Sequence, residues 1–562
     1  MASSEFFKAN ANVGVRLGIQ AAVSPDAMAI ASPKGSHRQR DHRTYETITL
    51  KELERRSSSI AAGLQAMGIG PGKRIGLLVR FGEDFIALVF AVLKSGATLI
   101  LIDPGMGRKN LIDCLAATRP DGFIAIPMAH VILKFFQSKF PQARLSVTAG
   151  RWFPGLPTTT LERLEKHSPS DLRIPATSLD DPAAIIFTTG STGPPKGVLY
   201  THGTFNAQID QVASHYGIQP GGRDLSCFPL FGLFNAVMGT TTILPDMNPI
   251  RPADVDPVRL LDAIDQWQIN QSFGSPALWT KVGGHCASTG RRVESLRRIL
   301  SAGAPVPPRI LEQMRQAMHQ DGSMYTPYGA TEALPIASIE SRIVLQETAF
   351  QTRQGAGTCV GSRFSGTRWR IIAIDDHPIR SIEDATELPA GKIGELMVSG
   401  AVVSKTYITR EDQNAIHKVA DDNEVWHRMG DVGYLDQQDR FWFCGRKAHR
   451  VISGSQVLYT ETIEGIANAN KAIYRSALVG TGDRPSQNPM VIIEPWPKNS
   501  PERSMTDKQL TEMVADELRQ NPVSASVKRV VIYPGKLPTD IRHNSKIFRE
   551  KLTVWANDTF PA

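Results

Sequence analysis

A chain of 562 residues exceeds what one ordinary hydrophobic core supports, so two to four structural units are expected. Its 41% hydrophobic and 21% charged residues make a soluble globular composition, and a net charge of +8 suits an anionic substrate. Nucleic acid is not indicated, because the basic pairs Arg291-Arg292 and Arg297-Arg298 are small and have no aromatic residues between them.

The five cysteines are far apart, odd in number and without a C-x-x-C pair, which predicts reduced thiols in a cytoplasmic protein. The longest apolar run, Phe85 to Leu93, ends at Lys94, so neither a signal peptide nor a transmembrane segment is expected. Thr49 and Glu52 form a capping-box pattern, Leu53, Ile60, Leu64 and Met67 recur along one face, and Gly68 is placed to stop that helix. Strand-like stretches at 74–79, 98–102 and 123–126 and a helical one at 84–94 continue the alternation, which argues for a parallel sheet covered on both faces. A proline-bearing connection follows from about 146 to 180.

Ala183 to Phe187 reads as a short buried strand opening into Thr188-Thr189-Gly190-Ser191-Thr192-Gly193-Pro194-Pro195-Lys196-Gly197. Glycines admit backbone N–H groups to an anion, hydroxyls turn donors toward it, and Lys196 adds a full charge, so the loop is suited to phosphate. Phe205, Ile209, Val212 and Tyr216 predict that it feeds a helix whose N-terminus also favours anions. The loop is not a G-x-x-x-x-G-K-[ST] P-loop, because Pro195 stands at the second glycine and Gly197 offers no hydroxyl. A plain surface turn leaves unexplained why ten successive residues meet one chemical demand.

Residues 224–234 and a helical pattern at 258–267 continue the alternation, and 300–305 ends a strand at small residues where a flat base can approach the backbone. The stretch 355–361 is one residue too long for a dinucleotide fingerprint and reads as a turn. From 371 to 439 short strands dominate, and a distinct C-terminal portion follows Gly445.

Three later motifs follow the loop in series. Tyr325-Thr326-Pro327-Tyr328-Gly329-Ala330-Thr331-Glu332 joins an aromatic to Gly-x-Thr-Glu; alone, its Thr-Glu reads as a helix start. Arg428-Met429-Gly430-Asp431, followed by Gly445-Arg446, otherwise reads as a hairpin turn. The last is Asp540 to Arg549, containing Lys546.

With the loop, these motifs resemble in type and order the signatures of the AMP-forming adenylate-forming enzymes, which include acyl-CoA synthetases, luciferases and peptide-synthetase adenylation domains. The resemblance implies an α/β fold: a large N-terminal domain, 1–445, of αβ-layered sheets with a small barrel-like part, and a small mobile α+β C-terminal domain, 446–562, hinged at Ala448. It implies ATP and Mg²⁺ as cofactors, with Thr188, Thr189, Gly190, Ser191, Thr192, Gly193, Lys196, Gly303, Ala304, Pro305, Tyr328 and Gly329 around the nucleotide. Asp431 and Arg446 would hold the ribose, Thr331 a phosphate oxygen and Glu332 the metal. Lys546 would be the catalytic lysine between carboxylate and α-phosphate, a role that rests on order and position, since a lysine in a C-terminal helix is usually solvated.

The chain departs from the wider pattern at Ala448, where Asp or Lys is usual, at Ile452 (lysine), at Ser455 and Ser545 (glycine), and at Gly232 (a histidine or aromatic gating the acyl pocket). Together with 103–111, 327–335, 445–450 and 542–546, these departures are similar to one branch, the olefin β-lactone synthetases of bacterial hydrocarbon biosynthesis. That branch activates a long-chain β-hydroxy fatty acid as its adenylate and lets the acid's own hydroxyl displace AMP, closing a lactone without CoA. The resemblance implies a fatty-acid-type carboxylate substrate, admits association with other hydrocarbon-biosynthesis enzymes, and requires a base for the hydroxyl proton, for which His449 is a candidate. A CoA-dependent fatty acyl-CoA synthetase and a nucleotide-binding module without turnover stay open, although Glu332, Asp431 and Lys546 argue against the latter.

Overall fold

The computed structural model describes residues 10–35, 43–103, 106–187, 194–228, 232–422, 424–503, 505–540 and 546–560. Helix Leu50–Ala66 starts at its expected cap: Glu52 N–H donates to Thr49 Oγ1 at 3.2 Å and Thr49 N–H to Glu52 Oε2 at 2.7 Å. Gly68 then leaves the helix at φ +82°, a backbone region that costs glycine nothing. This helix packs on Glu83–Ser95, the long apolar run, whose residues are buried from Phe85 onward. Each large apolar side chain withdrawn there contributes about 1.5–3 kcal/mol. That burial carries Lys94 inside, where Glu54 Oε2 at 2.6 Å and the hydroxyls of Ser57 and Ser58 satisfy its ammonium. Among the described residues no helix is long and apolar enough to cross a membrane.

The expected parallel sheet is present, in the order Leu145–Thr148, Gly122–Ala125, Arg74–Leu78, Thr98–Leu101, Pro182–Phe187, Gly197–Thr201. Its last strand corrects the sequence reading. The loop does not feed a helix directly but returns as Gly197–Thr201, antiparallel to Pro182–Phe187 with Phe187 opposite Gly197. Helix His202–His215 starts only at the end of that strand away from Gly197, where Thr201 and Thr204 cap it.

A second, larger sheet carries a parallel centre, Met28–Pro33, Thr241–Ile243, Arg223–Ser226, Gln271–Gly274, Arg298–Ser301 and Ser323–Ala330. It then turns antiparallel through Ala333–Glu340, Thr358–Arg363, Arg440–Arg446, Glu424–Leu435, Gly394–Ser399 and Arg368–Ile372. This antiparallel run is the part expected to be barrel-like. Among the described residues it does not close into a barrel, because Ala333–Glu340 stays paired to Ser323–Ala330 and makes it a continuation of the large sheet.

Beyond Arg446 come the hairpin Val451–Ser453 with Gln456–Leu458 and a three-stranded sheet of Ile473–Thr481, Asn488–Pro495 and Arg529–Ile532. Helices Thr460–Ala467, Asp507–Gln520 and Arg549–Thr559 cover this sheet, with Leu510, Val514 and Leu518 in a core separate from those of the large sheets. The five cysteines are free and buried.

Candidate active site

The parallel strands of the large sheet end at Ser226, Gly274, Ser301 and Ala330, and a continuous cleft of about 3470 Å³ opens beyond those carboxyl ends, where ligands of open α/β sheets are held. Its lining joins every later motif: Gly303, Ala304 and Pro305, then Tyr328 to Glu332, then Asp431 and Arg446, then Lys546. Lys196 lines it too, whereas Thr188, Thr189, Gly190, Ser191, Thr192 and Gly193 lie outside the described residues. Gly303 has φ +101° and follows its strand as a sharp turn. At Gly329 a Cβ would stand 2.6 Å from the Ala333 carbonyl oxygen, so the hairpin carrying Thr331 and Glu332 closes only on glycine. Thr331 and Glu332 thus sit in a strand-to-strand turn and not at a helix start; Tyr200 fixes that turn by donating to Thr331 O at 2.6 Å.

Asp431 and Arg446 face each other across antiparallel strands, with Arg446 Nη1 2.9 Å from Asp431 Oδ1. Tyr328 donates its hydroxyl to Asp431 Oδ2, and its ring lies 5.8 Å from that of Phe441. Burial raises the Asp431 carboxyl above its ordinary value against the opposing pull of Arg446. Beyond that ion pair Oδ1 takes no aligned hydrogen bond from the described residues, so it can also accept from a ligand hydroxyl. Arg428 of the same motif is internal: fully buried, it pairs with Glu395 at 2.6 Å and donates to the carbonyl of His377 at 2.7 Å.

Glu332 is 7% exposed and accepts from Tyr407 Oη at 2.7 Å, while Lys196 Nζ lies 4.0 Å away. Lys196 stands over the Tyr407 ring at 4.7 Å and 3.3 Å from His417 Nε2. His417 Nδ1 is 3.3 Å from the Arg428 carbonyl, which can only accept, so Nδ1 carries the proton and Nε2 offers its lone pair to Lys196. Burial, aided by the Lys196 charge, pushes His417 down to about 4, which keeps it a neutral acceptor. Lys418 donates to the Ser404 carbonyl and is lowered by burial to about 7; His427 is buried beside it and held well below its ordinary value. Tyr407, His417 and Lys418 carry no motif spacing and were not found from sequence, and His427, which stands directly before Arg428 in the Gly-Asp motif, was given no role there. They meet Lys196 and Glu332 only through long-range pairing, and alternation around the Gly-Asp strand is the one signal that could have pointed to them.

Glu332 offers a single carboxylate, and among the described residues no group of three His, Cys, Asp or Glu is arranged around a metal. That donor set fits Mg²⁺, which is held by one or two carboxylates with phosphates and water, and does not fit an all-protein cage.

Lys546 is not on a helix. It precedes Arg549–Thr559, and its backbone is clamped to Asp540, with Lys546 N–H donating to Asp540 Oδ1 at 2.8 Å and Asp540 N–H to Lys546 O at 3.0 Å. Gly232 answers a packing demand: a Cβ there would lie 2.5 Å from Ser226 Oγ, which is fixed in a buried cluster with Asp224 and Asn235. Around it the cleft is apolar, lined by Phe205, Ile209, Phe228, Phe234, Met238 and Leu244.

Residues 18–408 match the AMP-binding enzyme family. The chain is 41% identical over 554 residues, 97% of its length and 98% of the relative's, to the olefin beta-lactone synthetase of Stenotrophomonas maltophilia. It is 40% identical over 551 residues, 97% of each chain, to the protein of the same name from Xanthomonas campestris pv. campestris. Among solved structures, the amide bond synthetase McbA from Marinactinospora thermotolerans superposes with a TM-score of 0.78 at 20% identity, over 98% of this chain and 100% of that one. O-succinylbenzoate coenzyme A synthetase from Bacillus subtilis, in complex with ATP and magnesium ion, gives 0.73 at 20% identity over 96% and 98%.

Proposed function

The chain belongs to the AMP-binding enzyme family, and on that footing we propose that it activates a long-chain β-hydroxy acid with ATP and closes the resulting acyl-adenylate to a β-lactone. The observation that carries the activation half is the meeting in one cleft of Glu332, the Asp431–Arg446 pair, Lys196 and Lys546, which lie far apart in sequence. The lactone half rests on the two relatives of that name and on Ala448, Ile452 and Ser455.

In this reading Asp431 Oδ1 accepts a ribose hydroxyl while Arg446 and Tyr328 hold the carboxylate still. Gly303, Ala304, Pro305, Tyr328 and Gly329 border the base, and Lys196 with the loop from Thr188 takes the outer phosphates. Bound at Glu332, Mg²⁺ supplies neutralising charge for the polyphosphate. The substrate carboxylate attacks the α-phosphorus, pyrophosphate leaves, and Lys546 balances charge that grows in the transition state. Thr331 adds a donor to a phosphate oxygen, and the apolar wall from Phe205 to Leu244 takes the alkyl chain. The chain then divides into 1–445 and 446–562 about Ala448, supported by the separate C-terminal core.

The test is exchange of labelled pyrophosphate into ATP, expected only when a fatty acid is present. ADP as the nucleotide product would overturn the assignment.

A further inference from the structure

We propose that His449 is the base that takes the β-hydroxyl proton during lactone closure and that Glu550 is the residue that positions it, an inference that rests on the function proposed above. His449 ends the turn Lys447–His449 at the junction of the two parts of the chain, and its imidazole lines the same cleft as Lys546, although the side chain is only 9% exposed. Its Nε2 lies 2.9 Å from Glu550 Oε1 on the first turn of helix Arg549–Thr559. An ionised carboxylate only accepts, so the proton of the neutral ring belongs on Nε2 and the lone pair on Nδ1. Burial alone would raise the Glu550 carboxyl, but the hydrogen bond from His449 brings it below its ordinary value, so it is ionised.

Nδ1 is buried, and no donor reaches it among the described residues. Leaving a buried acceptor unmet is costly, and native structures seldom keep one without a use. The neighbouring charges have other partners: Arg450 with Asp376, Arg484 with the carbonyls of Ala448 and Arg450, Lys447 with Glu395, and Arg549 with Glu464. Glu550 is therefore the charged group that addresses the ring. Nδ1 is covered in this arrangement, so the turn Lys447–His449 must shift for the hydroxyl to reach it.

The step balances without a further reactant. The β-oxygen bonds to the acyl carbon, the bond from that carbon to the phosphate oxygen breaks with its electron pair on AMP, and the hydroxyl proton passes to Nδ1. Glu550 then faces an imidazolium, as the carboxylate of a Ser-His-Asp triad does.

The experiment measures two half-reactions on a β-hydroxy acid without CoA, pyrophosphate exchange and lactone yield, in the parent, His449→Ala and Glu550→Gln. Expected for His449→Ala is exchange within about threefold of the parent and lactone formation lower by about 10²–10⁴, the usual worth of a positioned base. Glu550→Gln keeps an acceptor for Nε2–H but removes the charge that stabilises imidazolium, so the acid limb of lactone formation should move to lower pH. A role in folding alone would not move that limb. Parent protein that exchanges pyrophosphate but makes no lactone overturns the underlying reading. Parent that makes lactone while His449→Ala makes it equally fast, or loses exchange in equal measure, overturns the proposal. Should His449→Ala fail to fold, an unmoved acid limb in Glu550→Gln overturns it instead.

Discussion

Tyr407→Phe removes one oxygen from the support of Glu332 and little else. The Tyr407 side chain is 1% exposed, and its hydroxyl is the 2.7 Å donor to Glu332 Oε1. Burial and the Glu332 charge raise that hydroxyl far above the ordinary tyrosine value, so it is protonated at any working pH. Phenylalanine keeps the ring beneath Lys196 at 4.7 Å and Lys418 at 5.2 Å, so both cation contacts survive. What is lost is a hydrogen bond to a buried carboxylate, worth about 1.5–3 kcal/mol. At about 1.4 kcal/mol per factor of ten, this predicts pyrophosphate exchange at subsaturating Mg²⁺ lower by about 10- to 150-fold. The deficit should shrink as Mg²⁺ is raised, because the freed carboxylate still binds metal but turns toward Lys196. A Mg²⁺ titration of exchange in parent and variant reads this directly. Exchange within twofold of the parent at every Mg²⁺ concentration would refute the claim that Tyr407 holds the metal-binding carboxylate.

Lys546→Ala should lower adenylate formation by about a hundredfold or more and leave nucleotide binding, measured by calorimetry, nearly intact; equal loss of both would mean the lysine merely holds ATP. Glu395→Gln should destabilise the protein by about 3–5 kcal/mol in denaturant unfolding, because Arg428 is left fully buried without its counter-charge, and a change under 1 kcal/mol would contradict that accounting. His202 accepts from Val13 N–H at 3.1 Å and is lowered by burial to about 4, so between pH 6.5 and 4 the unfolded chain binds more protons than the folded one. Its stability contribution is present above pH 6.5 and lost on acidification through that window, by up to about 3 kcal/mol; His202→Gln should flatten unfolding free energy against pH there, and an unchanged slope would contradict it.

Local rules reached much of this fold from sequence. The Thr49–Glu52 box, the stop at Gly68 and the buried strand before the loop depend on neighbours within a few residues, and each is where the pattern put it. The return strand Gly197–Thr201 was not legible, since five residues opening on glycine read equally well as loop end or helix lead-in; its pairing to Pro182–Phe187 decides. The open antiparallel run was unreadable for the same reason, as its strand order is set by pairings between strands that are not neighbours in sequence, such as Thr358 with Phe443. At the site, the motifs named residues that line one cleft, and the side chains that support them were not readable. Tyr407 and His417 reach Lys196 from more than 200 residues downstream, and nothing in their own spacing marks them. Tyr328 was expected from sequence as an aromatic for the nucleotide, but its hydroxyl bond to Asp431 appears only once strands 323–330 and 424–435 share a sheet.

The central claim is that the acid's own hydroxyl, and not CoA, receives the acyl group. Mass spectrometry of products from ATP and a long-chain β-hydroxy acid, with and without CoA, tests it most directly. The account predicts AMP and β-lactone in equal amounts, at a rate that CoA does not change. Acyl-CoA formed with CoA, and no lactone under either condition, would contradict it.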